Sequence, residues 1–90
     1  MFISTSQIDQ AVATLRSYGA RRVLLFGSFV HDPEHARDID LAVEGVPVSQ
    51  LWRANGEVAE VLDCPYDLVA MEESPEFYAL INKDARVLYG

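Results

Sequence analysis

Two aspartates in the middle of the chain have a spacing that is suited to chemistry. Asp38 and Asp40 are separated by one residue, and alternate side chains of a β-strand point to the same face. On a strand the two carboxylates would stand side by side, where they repel each other unless a cation or a proton lies between them. Mg²⁺ suits this arrangement, because it prefers the oxygens of carboxylates and phosphates.

A Gly-Ser pair upstream of the aspartates supplies the complementary half of a site. Gly27 and Ser28 follow the apolar run 23–26 and stand where a short helix would begin. Glycine lets the backbone approach a ligand closely, and the free N–H groups at a helix start attract phosphate. The Ser28 hydroxyl can donate a further hydrogen bond. A phosphate-binding turn followed by metal-binding carboxylates predicts a site for a nucleoside triphosphate.

A third carboxylate falls in phase with the first two. In the predicted strand 66–71, Asp67 lies on the face opposite to Leu68. If Leu68 faces the helices, Asp67 shares the other, open face with Asp38 and Asp40. The alternative is a solvated strand edge, where acidic pairs are common. Aspartate is a poor strand former, so three carboxylates in phase favour the metal site.

The rest of the chain predicts a small α/β domain that holds these residues. Helical periodicity marks helices at residues 6–18 and 49–62 and a further helix that begins at Pro75. Strands are predicted at 22–26, 38–43, 66–71 and 86–89, with a short helical turn at 28–31. Because helices interrupt the strands, we expect a sheet with helices packed mainly on one face.

Candidate core and capping residues follow from the same patterns. Ser4, Thr5 and Ser6 are alternative caps for the first helix. The apolar stripe of the second helix comprises Leu51, Trp52, Val58, Ala59 and Leu62, with Trp52 as a core anchor rather than a base-stacking platform. The buried face of the last helix comprises Phe77, Leu80 and Ile81.

Composition limits the classes of function that remain. The 90 residues are expected to form one domain, 1–90, and carry 14 acidic and 7 basic side chains, for a net charge of −7. This charge argues against direct binding of DNA or RNA, which requires a basic surface, and suits a basic protein partner or metal-dependent chemistry.

The compartment is predicted from what the chain lacks. Cys64 is the single cysteine, so no intrachain disulfide can form and a reducing cytoplasm fits. We interpret its thiol as a packing group rather than a nucleophile. No apolar run approaches the length of a membrane span, and the N-terminus has neither the basic region nor the long apolar core of a signal peptide. A cytoplasmic protein without a membrane partner is expected.

The order G-S, spacer, D-x-D and later Asp resembles the signature of nucleotidyltransferases with the DNA polymerase β fold. The short length and the Val87-Leu88-Tyr89 ending resemble the minimal nucleotidyltransferases, which often act as antitoxins. The resemblance extends from Arg22 through residues 67–69 to this ending. It implies a mixed sheet with helices mainly on one face and the active site on the other.

The resemblance also implies an activity. Asp38, Asp40 and Asp67 would hold two Mg²⁺ ions, or one bridging ion, and Asp67 would accept the proton of the attacking hydroxyl. Gly27 and Ser28 would hold the triphosphate of ATP. AMP would be transferred to a hydroxyl of a partner protein, commonly a tyrosine of a helical toxin of the HEPN class. A second copy of the chain is another possible partner.

Two positions depart from the family pattern. Arg and Gly often follow the Gly-Ser pair by a few residues, whereas this chain has His31 and Asp32 there. His31 lacks the permanent charge of arginine, and Asp32 adds negative charge near the expected phosphates. Two alternatives to an active transferase therefore stay open: an antitoxin that neutralises its partner by binding alone, and a nucleotide- or metal-sensing subunit. His31 and His35 are alternative metal ligands, although a solvated loop is the favoured interpretation.

Overall fold

The structure is a computed structural model that describes residues 5–90. Ser4, one of the three candidate caps of the first helix, lies outside the described residues. The elements are α1 (Thr5–Ser17), β1 (Arg22–Phe26), α2 (Ser28–His31), β2 (Ile39–Glu44), α3 (Val48–Leu62), β3 (Tyr66–Ala70), a 3-10 turn (Met71–Glu73), α4 (Pro75–Ile81) and β4 (Arg86–Tyr89). The predicted elements are confirmed, with ends displaced by at most one residue, and Asp38 lies immediately before β2.

The four strands form one mixed sheet in the order β3-β2-β1-β4. β1 pairs antiparallel with both β2 and β4, and β2 pairs parallel with β3. A parallel pair requires a crossover connection, which α3 provides between β2 and β3. The small mixed sheet predicted from the sequence is therefore confirmed.

One face of the sheet, here called the covered face, packs against α1 and α3. Alternate strand residues point into this layer because the side-chain period of a strand is two. The fully buried side chains here include Val23, Leu25, Ile39, Leu41 and Val43 from the strands and Leu15, Val58 and Leu62 from the helices. Cys64 packs against the same cluster, which agrees with its interpretation as a packing group.

The opposite face, here called the open face, carries a smaller cluster. Leu24, Ala42 and Met71 are buried there, with Tyr78 and Ile81 of α4 packed against them. The Arg22 guanidinium donates a hydrogen bond of 2.8 Å to the Tyr78 hydroxyl, which ties α4 to β1. α4 and Met71 cover the part of the open face around Leu24 of β1 and Ala42 of β2, and the two long helices lie on the covered face, as predicted.

Four predicted core residues are wrong, because the side chains of Trp52, Ala59, Phe77 and Leu80 are exposed. Trp52 is 82% exposed and Leu80 is 70% exposed, and Phe77 is partly exposed at 39%. Consecutive helical residues are about 100° apart around the axis, and α3 buries the side that contains Ala54 and Val58, so Trp52 and Ala59 point outward. α4 spans 7 residues, and its contact with the sheet is made by Tyr78 and Ile81 rather than by Leu80.

Residues 5–90 contain no helix that is both long and apolar enough to cross a bilayer.

Candidate active site

Two adjacent parallel strands bring three aspartates together on the open face. Asp40 of β2 and Asp67 of β3 are partners in the strand register. The Ile39 N–H donates a hydrogen bond of 3.1 Å to the Pro65 carbonyl, which holds the start of β2 against the start of β3. Asp38, Asp40 and Asp67 each offer a carboxylate oxygen, and these oxygens lie within 4.8 Å of one another. The predicted clustering of these carboxylates, here called the aspartate cluster, is confirmed.

Residues buried on the covered face determine the direction in which the carboxylates of the aspartate cluster point. Ile39, which separates Asp38 from Asp40 in the sequence, is fully buried in the main core. Leu68, which follows Asp67, packs against the same core. Since successive strand residues point to opposite faces, burial of these two apolar side chains directs the neighbouring carboxylates to the open face. The condition stated from the sequence, that Leu68 faces the helices, is met.

The charged form of the Asp40 carboxyl is disfavoured in the folded chain. Its burial raises the pKa of the carboxyl above the ordinary value, and the charges of Asp38 and Asp67 together with a hydrogen bond to Asp67 raise the pKa further. A proton or a cation placed between these oxygens would relieve the repulsion. The cluster is thus suited to a bound cation.

The donor set fits a hard divalent cation. In residues 5–90 this is the one group of three or more Asp, Glu, His or Cys side chains whose ligand atoms lie this close together. All three donors are carboxylate oxygens, which suit Mg²⁺ better than softer metals. Neither His31 nor His35 belongs to the group, so the histidine-ligand alternative gains no support.

The Gly-Ser turn lies directly against the aspartate cluster. Phe26 is the register partner of Asp40, and Gly27 follows it with a φ of +79°. A Cβ atom at Gly27 would overlap the Asp40 carboxylate. Glycine is therefore required here twice, for its backbone angle and for this close approach. Ser28 begins α2 with its side chain exposed, so the turn and the carboxylates form one continuous surface.

The two unusual positions after the turn lie in an exposed segment. Asp32 contacts His35, with 2.9 Å between a carboxylate oxygen and Nδ1, and both side chains are exposed. The negative charge of Asp32 thus has a local partner when His35 is protonated. His31 is exposed at the end of α2.

A groove beside the turn was not predicted from the sequence. It has a volume of about 340 Å³ and is lined by Phe26, Gly27, His31, Phe77, Leu80, Ile81 and Asp84. The rings of Phe26 and Phe77 meet edge to face at 5.6 Å. Sequence reasoning missed this groove because it placed Phe77 and Leu80 in the core. The shortness of α4, bounded by Pro75 and the polar residues after Ile81, was the available signal.

Comparisons with known proteins identify the fold. No protein-family model matches the chain, and no curated protein matches it. Solved structures do match. One is a mutant of the toxin–antitoxin MntA-HpeT with a tyrosine replaced by alanine, with a TM-score of 0.75 and 25% identity over 92% of this chain and 72% of that chain. A toxin–antitoxin with AMP-PNP has the same TM-score of 0.75, with 25% identity over 91% of this chain and 72% of that chain.

A third match comes from a tri-AMPylated Shewanella oneidensis HEPN toxin in complex with an MNT antitoxin. Its TM-score is 0.72, with 23% identity over 94% of this chain and 71% of that chain. The chain has the fold of the minimal nucleotidyltransferase antitoxins. The resemblance stated from the Gly-Ser and D-x-D motifs is thereby confirmed, and so is the fold class. In this minimal nucleotidyltransferase fold the aspartate cluster and the Gly27 turn occupy the face that the two long helices leave free.

Proposed function

We propose that this protein is a Mg²⁺-dependent nucleotidyltransferase that acts as an antitoxin by transferring AMP from ATP to a hydroxyl of a HEPN-type toxin. One observation carries the proposal: three carboxylate oxygens lie within 4.8 Å of one another, and the Gly27 backbone lies against one of these carboxylates without room for a side chain. A cation site in contact with a glycine turn is the arrangement expected for a metal-bound triphosphate.

The similar structures support the nucleotide and the partner. One of them is a toxin–antitoxin with AMP-PNP, and another holds a tri-AMPylated HEPN toxin in complex with its MNT antitoxin. That nucleotide and that toxin belong to those proteins. For this chain they make ATP the first nucleotide and a HEPN-type toxin the first acceptor to test.

Each residue of the site has a proposed role. Asp38, Asp40 and Asp67 hold Mg²⁺, which when bound neutralises phosphate charge and stabilises the entering and leaving oxygens. Gly27 and Ser28 bind the triphosphate through backbone N–H groups and the Ser28 hydroxyl. Asp67 is the most exposed of the three carboxylates and accepts the proton of the acceptor hydroxyl.

The transfer balances with these roles. The acceptor oxygen forms a bond to the α-phosphorus, the bond between that phosphorus and the bridging oxygen breaks, and pyrophosphate leaves with the electron pair. The displaced proton goes to Asp67. Little more than positioning and charge stabilisation is required of a protein in such chemistry, which is compatible with a site on so small a domain.

A second candidate is an antitoxin that neutralises by binding alone. It is favoured by His31 and Asp32, which stand where the family pattern has Arg and Gly, so neither of these two positions carries a permanent positive charge. Asp38→Asn with Asp40→Asn distinguishes the two candidates in a toxin-neutralisation assay. The double variant fails to neutralise if transfer is required, and it still neutralises if binding suffices.

The direct test is calorimetric titration of ATP with Mg²⁺ into the wild type and into the Asp38→Asn, Asp40→Asn variant. We expect Mg²⁺-dependent binding that is lost in the variant. Asp9→Asn with Glu60→Gln removes the same amount of charge from exposed positions of α1 and α3, on the covered side of the sheet, and should bind like the wild type. Mg²⁺-ATP binding of equal strength in the wild type and the Asp38, Asp40 variant would contradict the assigned site.

A further inference from the structure

The outer side of α3 carries a tryptophan that the fold does not use. Trp52 is 82% exposed, and Val48, one turn before it, is 73% exposed. The inner side of the same helix is already filled, with Ala54, Val58 and Leu62 buried against the sheet. A tryptophan carries a large apolar surface and is enriched where proteins meet. Trp52 is therefore a protruding apolar group without a packing role within residues 5–90.

A notch lies one turn along from this tryptophan. Gly56 is within α3, where glycine is less favourable than alanine. A Cβ atom placed on Gly56 would meet nothing within 4 Å, so packing within residues 5–90 gives no reason for glycine at this position. Residues four apart lie on the same helix face, so Trp52 and Gly56 form a knob and a notch on one surface.

Charged groups of both signs border the knob and the notch. Arg53, Glu57 and Glu60 line the depression beside Trp52 together with Tyr18. The surface is locally mixed in sign although the chain as a whole carries −7. Such a surface is complementary to itself, because the arginine of one copy can lie opposite an acidic residue of another.

We propose that α3 pairs antiparallel with α3 of a second copy, so that each Trp52 packs over Gly56 of the other copy. In a two-fold contact, residue i meets residue j and residue j meets residue i. Trp52 and Gly56 are equally distant in sequence from Ala54, so one two-fold axis at that level forms both contacts. Arg53 then lies within one turn of Glu57 of the second copy.

A second copy is the favoured occupant because one helix supplies the knob, the notch and both signs of charge. The pairing uses the side of α3 that points away from the sheet, so it leaves the aspartate cluster open and does not depend on the proposed transferase activity. The contact is one helix pair, smaller than the roughly 800 Å² per partner of a standard interface. We therefore expect a reversible dimer with a dissociation constant of the order of 10 μM.

The test is sedimentation equilibrium from 1 μM to 1 mM, combined with the fluorescence of the single tryptophan. The wild type should associate as its concentration rises, with a blue shift of Trp52 emission. Trp52→Ala and Gly56→Gln should each weaken association at least tenfold. Gly56→Gln should at the same time raise the melting temperature of the monomer, because the notch is empty and glycine disfavours the helix. Leu80→Ala, which removes an exposed apolar group from the other side of the molecule, should leave association unchanged.

These variants decide between occupants. Loss of association in both α3 variants, with the Leu80 control unaffected, supports the dimer. A wild type that stays monomeric at 1 mM overturns it, even if Trp52→Ala weakens binding to another protein. Association in which either α3 variant keeps the wild-type affinity overturns the Trp52–Gly56 contact.

Discussion

The two faces of the sheet differ in what covers them and in what they do. The covered face is sealed by α1 and α3, and its strand residues Val23, Leu25, Ile39, Leu41 and Val43 are fully buried. The open face is sealed by α4 and Met71 in the part around Leu24 and Ala42, and another part of it carries the aspartate cluster. Its apolar groups Phe77 and Leu80 remain in contact with solvent. The larger buried core thus lies on one face and the candidate site on the other.

This division explains how so small a domain tolerates repulsive charges. A chain of this size buries a modest fraction of its surface, so few apolar contacts can be given up to a functional site. Side chains alternate between the two faces along each strand. Each apolar residue that points toward the helices therefore has a neighbour that points to the open face. The site is built from the residues that the core does not use.

The largest effect should come from truncating the covered face. Leu25→Ala should lower the free energy of unfolding by about 2–5 kcal/mol, because it leaves a cavity in a filled core. Leu80→Ala removes the same type of side chain from the open face and should change the free energy of unfolding by less than about 0.5 kcal/mol. Urea unfolding followed by circular dichroism measures both. Equal losses would show that the open face contributes as much stability as the covered one.

The second-largest effect is expected at Gly27, which lies between β1 and α2 and against the Asp40 carboxylate. Gly27→Ala should lower the free energy of unfolding by about 1–3 kcal/mol, because the backbone angles there are nearly exclusive to glycine. The new methyl group would also displace the Asp40 carboxylate and weaken Mg²⁺ binding in calorimetry. Gly45→Ala is the matched control, since Gly45 also has a positive φ but lies away from the aspartate cluster. That control should lose stability without losing Mg²⁺ binding.

A smaller effect of opposite sign is expected at Asp40. Its pKa is raised in the folded chain by burial and by the neighbouring carboxylates, so ionisation disfavours the fold at neutral pH. In buffer with a chelator, Asp40→Asn should raise the free energy of unfolding at pH 7 by less than about 1 kcal/mol, since water screens part of the repulsion. The gain should shrink as the pH falls through the folded pKa and vanish below the unfolded value of about 3.9.

Urea unfolding across this pH range, with exposed Asp9→Asn as the control, measures the Asp40 effect. Adding Mg²⁺ should reverse the ranking, because the wild type binds the ion and the variant loses one ligand. A variant that is less stable than the wild type at pH 7 without metal would mean that burial and repulsion together do not outweigh the favourable interactions of the Asp40 carboxylate.

The smallest effect concerns the thiol that packs against the covered face. Burial and the negative charge of Asp63 raise the pKa of Cys64, and only the thiolate reacts with alkylating reagents. At pH 8, iodoacetamide should therefore modify the folded chain severalfold more slowly than free cysteine. Asp63→Asn should accelerate the reaction modestly, because it removes the negative charge that helps to raise the pKa of Cys64. Asparagine also tolerates the left-handed conformation that Asp63 adopts, so the backbone should stay unchanged. A rate equal to that of free cysteine would show that the covered face does not shield this thiol.

The strands and the aspartate cluster were predictable because alternation is a local property. Ile39 and Leu41 fixed the phase of Asp40, and Leu68 fixed the phase of Asp67, without knowledge of the strand order. The parallel pairing of β2 with β3 was not predictable from those residues, since it depends on how α3 crosses the sheet. The clustering itself is found in the structure, whereas the catalytic and metal-binding roles stay predictions.

The errors arose where an apolar pattern is wider than the contact it makes. Trp52 lies on the margin of the helical stripe, and the sequence could not show that the buried side of α3 is centred on Ala54 and Val58. Phe77 and Leu80 follow helical spacing, yet α4 meets the sheet through Tyr78 and Ile81. Periodicity gives the direction of a stripe but not which part of it a neighbour covers.

The alternation of Asp67 with Leu68 has a consequence for how the sequence can vary over evolutionary time. The helix layer that encloses Leu68 sets the direction of Asp67, so an insertion of one residue between these two positions would turn the carboxylate into the apolar layer. Insertions in the segments outside the strands leave that parity unchanged. Descendants of this chain can therefore vary more in the length of loops that lie away from the Gly27 turn, whereas Ile39 and Leu68 must keep their spacing from the acidic residues beside them.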